Sequence, residues 1–195
     1  RVIAISAATR AALAQVAPAV LTRTVVVPNG VELARFRPLT DPAEVAHERD
    51  RVAAALGGAV PYVLYPARLE HPAKNHVRLI EAFARLRARH RLPHQLVLIG
   101  AVWPGAEPIM AALAAHGSAV RHLGFVGGDL LAPLVRNADL LAFPSLFEGF
   151  GLPPLEAMAA GVPVVASSIP PLREVAGDAA LFVDATDAAA LEHGL

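Results

Sequence analysis

The chain has 195 residues, 55% of them hydrophobic, enough for one domain with a full core and a fragment of a second. Seventeen basic and seventeen acidic residues cancel, which excludes the charge footprint of a nucleic-acid-binding protein while allowing a local cationic patch. There is no cysteine, so disulfides and thiol chemistry are excluded, and no apolar run approaches the ~20 residues that span a bilayer.

In chain order, Val2 to Ser6 reads as a strand, Ala7 to Val16 as an alanine-rich helix and Thr24 to Val27 as a second strand, before Pro28-Asn29-Gly30 breaks the chain. Residues 41–58 read as a charged helix with Asp41 as N-cap, Pro42 at the first helical position and Gly57-Gly58 as its stop. Tyr62 to Ala67 is an apolar strand followed by Arg68 and Lys74, and Asn75 to Arg89 is a helix with apolar positions at Val77, Ile80 and Phe83. Gln95 to Ala101 is a buried strand ending at Gly100, Pro108 to His116 a helix, and Val120 to Val126 a strand. Asp129 is the expected N-cap of a helix over Leu130 to Ala138, and Ala138 to Phe143 is the next short apolar strand. Val162 to Ser167 is another strand, Ser168 is the expected cap of a helix over Pro170 to Ala176, Ala180 to Val183 is a last strand, and Asp187 begins a final helix. This alternation predicts a doubly wound, parallel α/β sheet of Rossmann-like type. A start at Arg1 without a leader pattern and an end inside a helix read as a piece excised from a longer protein.

Two stretches carry chemistry. Glu148 to Gly161, EGFGLPPLEAMAAG, is a glycine-broken loop running into a short helix, with Glu156 eight residues after Glu148. Gly149 and Gly151 allow a sharp turn and a close approach to a ligand. Pro153 and Pro154 suit a first helical turn and Gly161 a left-handed stop, so free N–H groups face a crevice that both carboxylates can flank. Either glutamate alone also fits a plain helix-dipole contact. In the other stretch, Lys74 is the single lysine against sixteen arginines, and a cationic loop opening a helix suits a pyrophosphate. A solvated loop charge is the plain alternative.

Residues 143–167, FPSLFEGFGLPPLEAMAAGVPVVAS, closely resemble the signature of glycosyltransferase family 4, the group 1 glycosyltransferases, which are retaining enzymes of the GT-B fold. Tyr65 to His76 resembles that family's donor-phosphate loop, and Val27 to Pro38 resembles the crossing between its two domains. The likeness runs over roughly residues 24–192. It implies that residues 1–26 are the tail of a mostly absent N-terminal acceptor domain and 27–195 the C-terminal nucleotide-sugar-binding domain, truncated at its C-terminal helix. Without the likeness, residues 1–26 read equally as an ordinary strand-helix element of one domain. The resemblance further implies that Lys74 and Arg68 bind the donor diphosphate, that Glu148 and the amides of Gly149, Phe150 and Gly151 bind the sugar hydroxyls, that Leu152 also lies at the donor, and that Glu156 binds the ribose. Gly100 and Phe125 would lie against the nucleotide, although a tight turn explains Gly100 as well. Lys74, Arg68 and Glu148 would be the catalytic groups. Two departures stand out: Ala67 replaces the usual glycine before the arginine, and Arg68 and Lys74 are one residue further apart than is common.

The implied activity is retaining, metal-independent transfer from a nucleotide-diphosphate sugar to a saccharide or lipid-linked acceptor, mannosyl transfer in polysaccharide biosynthesis being the family's frequent role. A cytoplasmic protein in peripheral contact with the inner face of the membrane is the matching expectation, and this half alone would be inactive. A non-catalytic sugar-nucleotide module, or a GT-B phosphorylase or epimerase, are the other readings. The eight histidines, with no cysteine and no HExxH pattern, give no metal-ligand set, and no cofactor is expected. Trp103 could stack on a base, and is expected rather in the core or in a loop contact.

Overall fold

The computed structural model describes residues 1–195 and places them in two sheets. β1 (Val2–Ala4) and β2 (Thr24–Val26) form a small parallel pair, joined by α1 (Ala7–Val16) and a 3-10 segment, Pro18–Arg23. The main sheet is six-stranded and parallel, in the order β5-β4-β3-β6-β7-β8. Its strands are β3 (Tyr62–Pro66), β4 (Gln95–Ile99), β5 (Val120–His122), β6 (Leu140–Phe143), β7 (Val164–Ser167) and β8 (Leu181–Val183). From β3 the chain adds strands outward on one side, then returns beside β3 with β6 and builds the other side. The reversal between β3 and β6 leaves a crevice at their carboxyl ends, the topological switch point of a doubly wound sheet.

Helices cover both faces: α2 (Leu33–Phe36), α3 (Pro42–Leu56), α4 (His76–His90), α5 (Glu107–Ala115), α6 (Gly128–Arg136), α7 (Leu152–Ala159), α8 (Pro170–Ala176) and α9 (Ala188–Gly194). Tyr62, Val63, Leu64 and Tyr65 are all buried, as a central strand covered on both faces requires. Leu64, Leu96, Leu98 and Leu141 are fully buried in one continuous core, and each such side chain contributes about 1.5–3 kcal/mol. Local signals set several ends as expected: Asp41 accepts from Ala43 N–H at 2.9 Å, Gly57 ends α3 at φ +68°, and Asp187 caps α9.

Other ends differ, each for a local reason. α6 is capped by Gly127 rather than Asp129, which lies inside its first turn. It stops at Arg136, short of Ala138: Asn137 is its C-cap, and the Ala138 N–H turns back to the Val135 carbonyl at 3.2 Å instead of continuing the i+4 pattern. Ser168 does not cap α8: Ile169 holds the cap position, and prolines at the first two helical positions leave no N–H there for a hydroxyl to accept. β5 ends at His122, although Leu123 N–H still donates to the Leu98 carbonyl and the Gly124 carbonyl accepts from Gly100 N–H, before Gly124, at φ +73°, turns the chain. On α4 the buried stripe is Leu79, Ile80, Ala82 and Phe83, with His76 also buried and Val77 on the flank. No helix is long and apolar enough to cross a membrane.

Candidate functional site

The loops after β3 and β6 meet at the switch point. Lys74 Nζ lies 2.7 Å from Glu148 Oε1, with side chains only 15% and 13% exposed. These residues are 74 apart in the chain, and their loops are tied together beneath them. Leu146 N–H donates to the Ala73 carbonyl at 2.8 Å. The Tyr65 hydroxyl, fully buried, donates to the Lys74 carbonyl at 2.6 Å and accepts from Ser145 Oγ at 3.0 Å. Ser167 Oγ in turn donates to the Ser145 carbonyl. Asn75, held at φ +56°, donates through Nδ2 to the carbonyls of Pro144 and Ala185 at 3.2 and 2.8 Å. Four loop and strand ends are thereby fixed around one ammonium and one carboxylate.

The ammonium is undersubscribed. Lys74 Nζ has one protein partner, and Glu148 Oε2 has none. The amide N–H groups of Glu148, Gly149, Phe150 and Gly151 also have no acceptor within the protein. The site thus presents several donors and one acceptor at a single rim, a set suited to phosphate oxygens and sugar hydroxyls. Gly151 is required on packing grounds: at φ +113° its missing Cβ would lie 2.4 Å from Leu172 Cδ2.

The remaining expected residues are distributed around this pair. Arg68 is half-exposed, pairs with Glu70 at 2.8 Å and stacks over Trp103 at 4.7 Å; no ion pair links it to Glu148. Trp103 is 47% exposed, so it lies outside the core and acts as a loop contact. Arg68, Gly100, Trp103 and Phe125 line a mostly apolar cleft of about 320 Å³ beyond the carboxyl ends of β3 and β4. At Gly100 the absent Cβ would sit 2.3 Å from the Ala67 carbonyl oxygen, so glycine is needed there for loop packing. Phe125 is 81% exposed, Leu152 is partly exposed and Phe150 is buried. Glu156 is half-buried in α7 and makes no hydrogen bond. Burial raises its pKa above 4.5, and the charge of Arg35 opposes the rise. Lys74 and Glu148 therefore meet, and neither Arg68 nor Glu156 makes a hydrogen bond or ion pair with them.

Several supporting residues carried no signal beyond their type. Tyr65 is a polar-tipped residue in a strand fated to be buried, which demands a partner for its hydroxyl. His76 lies beneath the site, fully buried against Tyr65 with ring centroids 4.7 Å apart, and neither ring nitrogen makes a hydrogen bond of good geometry. Burial pushes its pKa from 6.5 down to about 3, against the pull of the Ala67 backbone, so it is neutral. No group of three histidine, aspartate or glutamate side chains is clustered as metal ligands.

Residues 60–195 match the family described as Glycosyl transferases group 1. The chain belongs to that family. Among its group 1 relatives, the O-antigen chain mannosyltransferase B of Escherichia coli is 40% identical over 134 residues, 67% of this chain and 34% of that protein. The D-inositol 3-phosphate glycosyltransferase of Salinispora tropica is 34% identical over 185 residues, 89% of this chain and 38% of that protein. Among solved structures, Anabaena Alr3699/HepE in complex with UDP and glucose superimposes with a TM-score of 0.81 at 26% identity, covering 98% of this chain and 51% of that one. The chain spans about half the length of such structures and little more than a third of the curated relatives. Its fold is that of the C-terminal domain of GT-B glycosyltransferases.

Proposed function

We propose that this group 1 glycosyltransferase chain is the donor-binding half of a retaining, metal-independent enzyme that transfers a sugar from a nucleotide-diphosphate sugar to a saccharide or lipid-linked acceptor. The observation that carries the reading is the Lys74–Glu148 pair at the switch point, with spare hydrogen-bonding capacity on both partners and four unengaged amides beside it. The diphosphate lies against Lys74, with Arg68 at its nucleoside end. As the anomeric C–O bond breaks, the electron pair stays on the diphosphate, and the ammonium stabilises that growing charge from a poorly hydrated position. Glu148 and the amides of Gly149, Phe150 and Gly151 hold the sugar hydroxyls. The nucleoside occupies the cleft of Gly100, Trp103 and Phe125, and the ribose hydroxyls donate to Glu156. That Alr3699/HepE was solved with UDP and glucose supports a nucleoside diphosphate as the ligand class, and the mannosyltransferase relatives favour a mannosyl donor.

Residues 1–26 would belong to the acceptor-binding half; that β1 and β2 form their own sheet supports this. The acceptor and much of the catalytic surface would lie in that half, and the intact protein would work in the cytoplasm at the inner membrane face. Titration calorimetry with UDP and GDP tests the reading. Lys74→Ala is expected to weaken whichever nucleotide binds by roughly tenfold or more, because a charge-assisted hydrogen bond is worth about 1.5–3 kcal/mol. Affinities unchanged in both Lys74→Ala and Glu156→Ala would discard it.

A further inference from the structure

α1 buries none of its own side chains, and its attachment to the main domain is polar and concentrated at its first turn. Ser6, fully buried, caps the helix by accepting from Thr9 N–H at 2.9 Å. The two preceding amides, Ala7 and Ala8, donate to the two carboxylate oxygens of Glu174 on α8 at 2.7 and 3.1 Å. All three first-turn donors are thus satisfied, and an acidic group sits at the positive end of the helix dipole. The hydroxyls of Ser6 and Thr9 then reach the carbonyl of Gly149, at 2.7 and 3.0 Å. Ser6 Oγ also lies 2.9 Å from Thr9 Oγ1, so the two hydroxyls and the Gly149 carbonyl form one hydrogen-bonded network across the gap between the two sheets.

The geometry of the peptide unit gives this contact its consequence. The Gly149 carbonyl and the Phe150 N–H belong to one planar trans peptide and point in opposite directions. Holding the carbonyl toward α1 aims the Phe150 N–H away from it, and that N–H has no acceptor in the protein. Gly149 has no side chain to resist rotation, and a Cβ there would lie 3.4 Å from Ile5 Cδ1, so the loop abuts the turn between β1 and α1. Glu148, paired with Lys74, is the adjoining residue. We propose that Ser6, Thr9 and Glu174 form a polar latch whose two hydroxyls orient the Gly149–Phe150 peptide, so that α1 acts as a positioning element for the transferred sugar and not for the nucleotide. This rests on the donor-site reading above. Specificity for the sugar follows from placement, because Lys74 and the cleft of Arg68, Gly100 and Trp103 make no hydrogen bond to α1.

The test uses the intact protein and two probe pairs, UDP with UDP-glucose and GDP with GDP-mannose, in titration calorimetry. Thr9→Val removes one hydroxyl at nearly constant shape, leaving the Ser6 cap in place. It is expected to raise the dissociation constant of the nucleotide sugar roughly threefold to tenfold and leave that of the matching nucleoside diphosphate unchanged. Thr9→Ser, which keeps the hydroxyl, restores the wild-type value, and Glu174→Gln, which weakens the clamp on α1, shifts affinity in the same direction as Thr9→Val. The latch is overturned if Thr9→Val leaves the nucleotide-sugar constant unchanged, if it weakens both members of a pair equally, or if serine fails to restore binding. Wild-type protein that binds none of the four probes overturns the donor-site reading itself, and the latch with it.

Discussion

Two ion pairs of nearly equal burial sit at opposite ends of the main sheet. At the carboxyl end, Lys74 and Glu148 are 15% and 13% exposed; on the α3–α6 side, Arg136 and Glu48 are 13% and 10% exposed. They differ in saturation. Arg136 donates to both oxygens of Glu48 and to the Arg35 carbonyl, and Asn137 Nδ2 adds a further bond to Glu48 at 3.2 Å. Lys74 makes one bond. Burial alone therefore does not separate the two pairs. Unused hydrogen-bonding capacity does, because a ligand can only recruit donors and acceptors that the fold leaves free. Cavity size does not track free hydrogen-bonding capacity either: a cleft of about 480 Å³ is lined by Arg136 and Tyr62 beside the saturated pair.

This contrast can be broken or sharpened by measurement. The largest effect is expected at the saturated pair, where Glu48→Ala strands a buried guanidinium and costs about 3 kcal/mol in urea unfolding, with nucleotide affinity of the folded protein unaltered. Lys74→Met keeps the aliphatic stem and frees Glu148 to turn toward the rim. Its stability cost should be smaller than that of Glu48→Ala, about 1–2 kcal/mol by the same denaturation, and the contrast fails if the order is reversed.

His76 probes the floor of the site. Its folded pKa of about 3 lies below the ordinary 6.5, so between these values the unfolded chain binds the extra proton. Stability from this group is whole above pH 6.5 and drains as pH falls, by about 1.4 kcal/mol per pH unit. His76→Phe should remove that component, leaving a shallower acid unfolding profile; identical profiles would show that the ring is not held neutral. The smallest effect concerns Glu156, whose pKa is raised by burial. If its ionised form accepts the ribose hydroxyls, nucleoside diphosphate affinity should decline severalfold as pH drops through that raised value, and Glu156→Gln should flatten the dependence in calorimetry at constant ionic strength.

Much of the fold is readable in the sequence. Asp41, Pro42 and Gly57 bounded α3, and Asp187 opened α9, because caps act through atoms within one turn of the chain. The differences are local competitions: a proline pair that leaves Ser168 nothing to cap, and a tightened last turn, Ala138 N–H to the Val135 carbonyl, that closes α6 early. Within the site, residue type and spacing single out Lys74, Glu148 and the glycine loop as groups worth testing. The partners were not legible. Nothing in the order of residues announced that Arg68 would stack on Trp103, that Tyr65 would hold the Lys74 carbonyl, or that Ser6 and Thr9 would grip Gly149.

Sequence by itself determined the alternation of strands and helices, the places where backbone donors go unpaired, and the single ammonium set before a helix. Those properties depend on dihedral preferences and hydrogen bonds that close within a few residues. Only the tertiary structure decided that Lys74 meets Glu148 and that Glu48 meets Arg136, because contacts across 74 and 88 residues depend on strand order. By reversing direction between β3 and β6, the sheet brings two distant loops to one rim, and the saturation of each ion pair follows from which neighbours that reversal supplies.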